Sequence, residues 1–381
     1  MIGNSIKKCT GCSACFNICP MNAIKMEMNE QGFLYPFVEH KKCIDCKLCE
    51  KVCPINKINV KPVYQIVYAG KHKNREVKIR SSSGGVFTAL SDFFINNNGI
   101  VYGCAYDKKI KAEHIRATNF YERDRCCGSK YVQSDLGKIF GKVKIDLDRG
   151  ILVLFSGTPC QIDGLNHFLG KEYDNLFTMD FVCHGTPSPK LFADHVLMME
   201  RLRHDKIYSY NNRSKVEGWG KHIEEMEFSK HKKEYKTTYS QAWKRLFYSH
   251  NCLRESCYQC KYTNLNRVSD ITVGDLWGMD KFIPNFLDAL GVSLIIVNSI
   301  KGINIMEQLK KTMELEYLDG NQWIQPSLKE PVKKPKTYDI FWDIYEKKGY
   351  IGLVNTYANC SVVGHIKDSV KKIIHHRNYI P

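Results

Sequence analysis

Two stretches near the N-terminus carry cysteines at a spacing few chemistries use. CTGCSACFNICP runs from Cys9 to Pro20 and CIDCKLCEKVCP from Cys43 to Pro54. Each reads C-x2-C-x2-C-x3-C-P, the spacing at which thiolates enclose a 4Fe–4S cubane. Three closely spaced thiolates wrap one cluster, and the fourth of each run reaches the other cluster. One cluster is therefore expected on Cys9, Cys12, Cys15 and Cys53, and the second on Cys43, Cys46, Cys49 and Cys19. Pro20 and Pro54 end the ligand loops by fixing φ. Gly11 leaves room for close backbone approach. Two complete runs, each with its proline, favour iron–sulfur ligation over eight zinc-bound thiolates.

Three later features carry chemistry. Arg80-Ser81-Ser82-Ser83-Gly84-Gly85 precedes an apolar periodic run. Amides at a helix start, with glycines allowing close approach, suit an anion or a flavin; an ordinary helix cap is the plainer reading. Gly157-Thr158-Pro159-Cys160-Gln161 follows the apolar stretch ILVLFS. A cysteine at the carboxyl end of such a strand and the start of a helix is expected to have a lowered pKa, suiting it as ligand or nucleophile. Cys183-His184-Gly185 ends another strand-like run, and Cys257 and Cys260 stand at C-x2-C spacing. Cys160, Cys183, Cys257 and Cys260 suffice for a third cluster. Cys252 is near enough in sequence to replace one of them, and structural zinc is the competing occupant. Asp270 to Gly278, DITVGDLWG, reads as a strand whose Gly-Asp end and Trp277 border a cofactor pocket, or as a simple strand and turn. His184 is the first acid–base candidate, although a structural histidine is the commoner case. Cys104, Cys126, Cys127 and Cys360 read as incidental thiols.

The elements that position these residues follow from periodicity. AIKMEMNEQGFLYPFVEH between the knots reads as two short strands around Gln31-Gly32, and INKINVKP as a linker. Alternating, β-branched segments predict strands at 63–70, 100–107 and 112–119, with KHKNREVKIR a basic loop. Serines cap a helix that ends at Gly99. Fully apolar ILVLFS and GVSLIIVN read as buried strands. QIDGLNHFLG and LFADHVLMMERLR read as helices, and a further helix spans about Gly302 to Met313. IYSYNN, HIEEMEF and EYKTTYS read as antiparallel strands. After residue 330 come KEPVKKPK and KKIIHHRN, a basic helical appendix or tail.

Composition limits the possibilities. A chain of 381 residues with 43% hydrophobic and 25% charged residues has the makings of two or three globular domains. No apolar run is long enough to span a bilayer, and MIGNSIKKC lacks a secretory apolar region. Seventeen cysteines, most of them clustered at ligand spacing, fit a reducing, cytoplasmic compartment better than a disulfide framework. The formal charge is +16. Two or three clusters, each about −2 with its thiolates, cancel roughly a quarter to a third of that. The remainder reads as a lysine-rich solvated surface that also suits an acidic electron carrier. No nucleic-acid-binding motif is present. G-x-G-x-x-G after a strand and G-x-x-x-x-G-K-[ST] are absent, which removes the ordinary dinucleotide and triphosphate fingerprints.

SSSGGVFTAL, GTPCQ, FVCHG, CYQCK and DITVGDLWG together resemble the coenzyme F420 hydrogenase/dehydrogenase beta-subunit family. The resemblance covers roughly residues 63 to 320, and the two-cluster ferredoxin head is a common fusion in that family. It implies α+β to α/β architecture: a small ferredoxin-like dicluster domain (1–60), then a mixed-sheet α/β flavin-binding body in two parts (63–148 and 149–325), then the basic appendix (326–381). It further implies FAD near Ser82, Ser83, Gly84, Gly85 and Thr158, and a third 4Fe–4S cluster on Cys160, Cys183, Cys257 and Cys260. The flavin would exchange hydride with a deazaflavin-like or other organic donor or acceptor, and single electrons with the cluster. An external ferredoxin or redox partner subunit would serve the head. The alternatives are a flavin-free electron-relay subunit and a thiol enzyme with Cys160 as nucleophile.

Overall fold

The computed structural model describes residues 6–56, 66–230 and 232–360. The expected linker and the start of the strand at 63–70 fall largely outside these residues, as does the basic stretch KKIIHHRN.

In the head, two short helices carry the cysteine runs and a hairpin separates them. Helix α1 is Ala14–Ile18, strands β1 and β2 are Ile24–Met28 and Leu34–Val38, and α2 is Leu48–Lys51. The strands pair antiparallel with Ile24 opposite Val38. Gly32 turns the hairpin at φ 80°, where a Cβ would also lie 2.1 Å from the Lys190 Cβ. The turn is thus pressed against the body.

The body begins with β3 (Ile66–His72), α3 (Arg75–Arg80), α4 (Val86–Asn96), β4 (Ile100–Tyr106), β5 (Ala112–Ala117), α5 (Phe120–Asp124) and α6 (Ile139–Asp148). It continues with β6 (Val153–Ser156), α7 (Pro159–Leu169), β7 (Leu176–Phe181), α8 (Pro189–Arg203), β8 (Ile207–Ser214), β9 (Ile223–Phe228), β10 (Lys233–Glu234) and α9 (Ala242–Tyr248). The last elements are β11 (Ile271–Asp275), β12 (Ser293–Val297), α10 (Ile300–Leu309), β13 (Met313–Tyr317) and α11 (Tyr338–Tyr357).

Eight strands form one mixed sheet in the order β13-β3-β12-β11-β7-β6-β4-β5. Four consecutive inner strands, β11, β7, β6 and β4, run parallel. The sheet draws strands from both sides of residue 148. Alternation along the strands splits the core in two. Val101, Leu154 and Phe177 face α4 and α10. Tyr102, Phe155 and Val153 face α6 and α7, and Cys12, Ala14 and Val52 of the head share that second core. The head is therefore packed into the body's own apolar layer. A separate antiparallel sheet, β10-β9-β8, packs with α8, α9 and α11 around Trp243 and Phe192.

Several local expectations change. KHKNREVKIR contains helix α3, because Asn74 caps it by accepting from the Glu76 N–H at 2.8 Å. No serine caps α4; its N-cap is Gly85 at φ 95°. The buried strand β12 is antiparallel to both neighbours. The helix expected to reach Met313 stops at Leu309, and Met313 begins an edge strand on β3. EYKTTYS contributes only its first residue, Glu234, to the two-residue β10. The appendix is helical through α11, which is broken at Gly349 (φ 63°).

Candidate functional site

Strands β6, β7 and β11 end on the same edge of the sheet, where open α/β sheets bind ligands. Beyond β6, Thr158 is the N-cap of α7 and Pro159 its first residue. The Thr158 N–H donates to Gln161 Oε1 at 2.9 Å, locking the turn. This points Cys160 to within 3.2 Å of the Thr158 hydroxyl. Cys183 lies two residues beyond β7. Cys257 sits in the 3₁₀ turn Glu255–Gln259, with Cys260 immediately after it. All four line one cleft, together with Thr10 of the head. The Thr186 N–H reaches the Cys257 Sγ at 3.4 Å.

Burial pushes the Cys160 thiol up to about 12, and the neighbouring Cys260 and Cys257 add to the rise. Cys183 is raised well above the ordinary thiol value by burial and by Cys257, Cys160 and Cys260. Desolvation therefore outweighs the helix N-terminus, which reverses the expected lowering at Cys160. Cys252 stands apart. It is wholly buried among the residues of the α8–α9–α11 core, with its Sγ 3.4 Å from the Leu246 carbonyl oxygen. Among the described residues, no three Cys, His, Asp or Glu side chains gather tightly enough to hold a single metal ion.

The head shows a similar arrangement. Cys19, Cys43, Cys46 and Cys49 line a second cleft. Cys53 and Cys9 both bear electrostatically on Cys15. Cys12 lies against α7: a Cβ on Gly164 would sit 2.8 Å from the Cys12 Cβ. Cys160 is close enough to contribute to raising the Cys12 thiol, behind burial, Cys15 and Cys9.

The Ser82–Gly85 segment also makes contacts within the protein. Ser82 Oγ accepts from the Ser129 N–H at 2.8 Å, and Ser83 Oγ donates to the Val292 carbonyl at 2.9 Å. A Cβ on Gly84 would lie 2.2 Å from the Gly70 oxygen, so this glycine admits the neighbouring strand. Beside it, Lys215 donates to the carbonyl oxygens of Lys78 and Ser83 and to that of Leu290. Burial lowers the Lys215 amine to about 8. Trp219 and Trp277 stack at 4.1 Å with an 11° tilt. Asp275, at the end of β11, accepts from Trp219 Nε1 at 3.0 Å and pairs with Arg213 at 2.8 Å. His222 lies 5.4 Å from Trp277 and 5.8 Å from Tyr248, and Tyr248 lies 6.1 Å from His184. Rings thus lead from Cys183's neighbour to the tryptophan pair. His184 Nε2 lies 2.7 Å from His250 Nε2, and burial lowers His184 to about 4, so it is neutral near pH 7.

Sequence reasoning missed Trp219, Arg213, Lys215 and Arg254. Trp219 lies in a Gly-Trp-Gly turn, and Arg254 stands three residues before Cys257; only these weak local cues precede the structure.

Residues 151–322 match the family described as the C terminus of the coenzyme F420 hydrogenase/dehydrogenase beta subunit. Residues 8–57 match the 4Fe-4S dicluster domain. The chain thus joins a region similar to the C terminus of the coenzyme F420 hydrogenase/dehydrogenase beta subunit to a region similar to the 4Fe-4S dicluster domain. Iron–sulfur electron transfer is the chemistry these two matches support. No curated protein matches. A similar solved structure is a chain described under "Xenon derivatization of the F420-reducing [NiFe] hydrogenase complex from Methanosarcina barkeri", at 15% identity and TM-score 0.45, covering 68% of this chain and 83% of that one. Among the described residues, no helix is long and apolar enough to cross a membrane.

Proposed function

We propose that this chain is an FAD-dependent iron–sulfur oxidoreductase of a reducing, cytoplasmic compartment. One head cluster is held by Cys9, Cys12, Cys15 and Cys53, and the other by Cys19, Cys43, Cys46 and Cys49. A third is held by Cys160, Cys183, Cys257 and Cys260. The observation that carries this reading is the meeting of those last four thiols in one cleft at the sheet's carboxyl edge, with Thr10 of the head on its wall.

The clusters would supply single-electron transfer, and FAD would supply the exchange between single electrons and hydride. Protein residues fit both groups. Thr158 and Thr186 direct hydroxyl or N–H donors at Cys160 and Cys257, and such contacts tune a thiolate-bound metal. The Trp219–Trp277 face, flanked by Arg213 and Lys215, suits a planar ring system carrying negative charge, which widens the flavin region from Ser82, Ser83, Gly84, Gly85 and Thr158. Exposed Cys43 and Cys46 turn the outer head cluster toward an external ferredoxin or partner subunit. A deazaflavin-like or other organic molecule would be the hydride partner.

The test is the cofactor content of anaerobically purified protein. About twelve irons and one FAD per chain are expected for three 4Fe–4S clusters and a flavin. About eight irons would remove the third cluster. Absence of flavin with intact clusters would make the chain an electron relay.

A further inference from the structure

Arg254 is a permanent cation with no exposed surface. Its acceptors are the Cys9 carbonyl at 2.7 Å, Gln133 Oε1 at 3.1 Å, the Leu34 carbonyl at 3.0 Å and the Cys9 Sγ at 3.7 Å. None is a carboxylate. Burying a guanidinium is costly unless an opposite charge lies beside it. Of the four acceptors only the Cys9 sulfur becomes anionic, as it does when it ligates iron. The surroundings are shaped around this side chain. The Tyr35 ring lies under the guanidinium at 4.0 Å. Gly11 sits at φ 71°, and a Cβ there would come within 3.0 Å of the Arg254 Nη1. The main chain of Arg254 is fixed from the body: its N–H donates to the Thr186 oxygen at 2.9 Å, and its oxygen accepts from the Cys257 N–H at 2.8 Å.

We propose that Arg254 is the counter-charge of the head cluster ligated by Cys9, raising that cluster's reduction potential and fastening the head to the body. Reduction adds one negative charge to the cluster, and a buried cation beside it favours the reduced form. This assignment rests on Cys9 as a cluster ligand, as read above, and does not need the third cluster.

The test uses the full chain in an EPR-monitored redox titration, comparing wild type with Arg254→Met and Arg254→Lys. Arg254→Met should shift the one-electron equilibrium of one cluster toward the oxidised form by about tenfold or more, which is about 59 mV lower. Arg254→Lys should shift it far less. Unchanged potentials in an iron-replete Arg254→Met protein would overturn the proposal, as would an equal shift in Arg254→Lys. If Arg254→Met fails to retain iron, Arg254→Gln is compared with Arg254→Lys. Iron held by the lysine variant alone supports a charge role, and equal or no retention by both overturns it. The iron count of the wild type decides the third cluster separately.

Discussion

Gly164 tests how tightly the head is fitted to the body. It lies within α7, where alanine is worth about 1 kcal/mol over glycine in helix propensity. The added Cβ would lie 2.8 Å from the Cys12 Cβ and 2.9 Å from its Sγ. Carbon atoms pack at about 3.5–4.0 Å, so the ligand loop must retreat by roughly 0.7 Å. Overpacking of this kind costs about 1–3 kcal/mol. The net effect of Gly164→Ala is therefore a loss of about 0–2 kcal/mol, felt at the Cys12 loop. Gly141 in α6 is the matched control: its Cβ would meet nothing within 4 Å, so alanine there should bring the helix gain alone. A metal-bearing multidomain chain has no single unfolding free energy, so the readout should be local. Cluster absorbance is followed during anaerobic challenge with an iron chelator. Gly164→Ala should release head iron faster, by up to about thirtyfold at the 2 kcal/mol end, while Gly141→Ala matches or exceeds wild-type resistance. Equal resistance in the two variants would refute the fit of Cys12 against α7.

Cys183→Ser should lose about four irons per chain, whereas Cys252→Ser should keep the wild-type count, both read by iron analysis. Trp277→Ala should weaken flavin retention by about tenfold, measured by fluorescence of the chromophore released on dialysis. His195 has both ring nitrogens without a hydrogen-bond partner, and burial lowers it to about 3. Its folded value lies below its unfolded value, so the unfolded chain binds the extra proton and stability falls as pH drops below about 6.5. Between pH 6.5 and 5 this histidine alone should cost about 2 kcal/mol. His195→Phe should flatten that part of the pH profile for local opening of this core, read by amide hydrogen exchange; an unchanged slope counts against it.

Much of the head was legible because its chemistry is local. Ligand spacing within each run is set by a few residues of chain, and the hairpin between the runs shows in its alternation and in Gly32. The near-continuous apolar runs of IVYGCAY and VLFS likewise follow from strands buried on both faces. Strand direction was less legible, since an apolar run such as SLIIV is equally buried whether parallel or antiparallel. The glycines at 84 and 85 were visible as unusual but read for a ligand. Gly84 also serves the approach of Gly70 and Ser293, about 14 and 209 residues away in sequence, which no local pattern reports.

Sequence by itself therefore determined the iron-binding residue types, the two-run head, the α/β character of the body and the four cysteines available beyond the head. Tertiary structure alone decided that Cys160, Cys183, Cys257 and Cys260 share a cleft while Cys252 is withdrawn into a separate core. It also decided that burial sets the Cys160 thiol, and that Arg254 reaches Cys9 across 245 residues of chain. The physical reason is range: spacing and periodicity act over a few residues, whereas desolvation, charge pairing and packing depend on which distant segments are brought into contact.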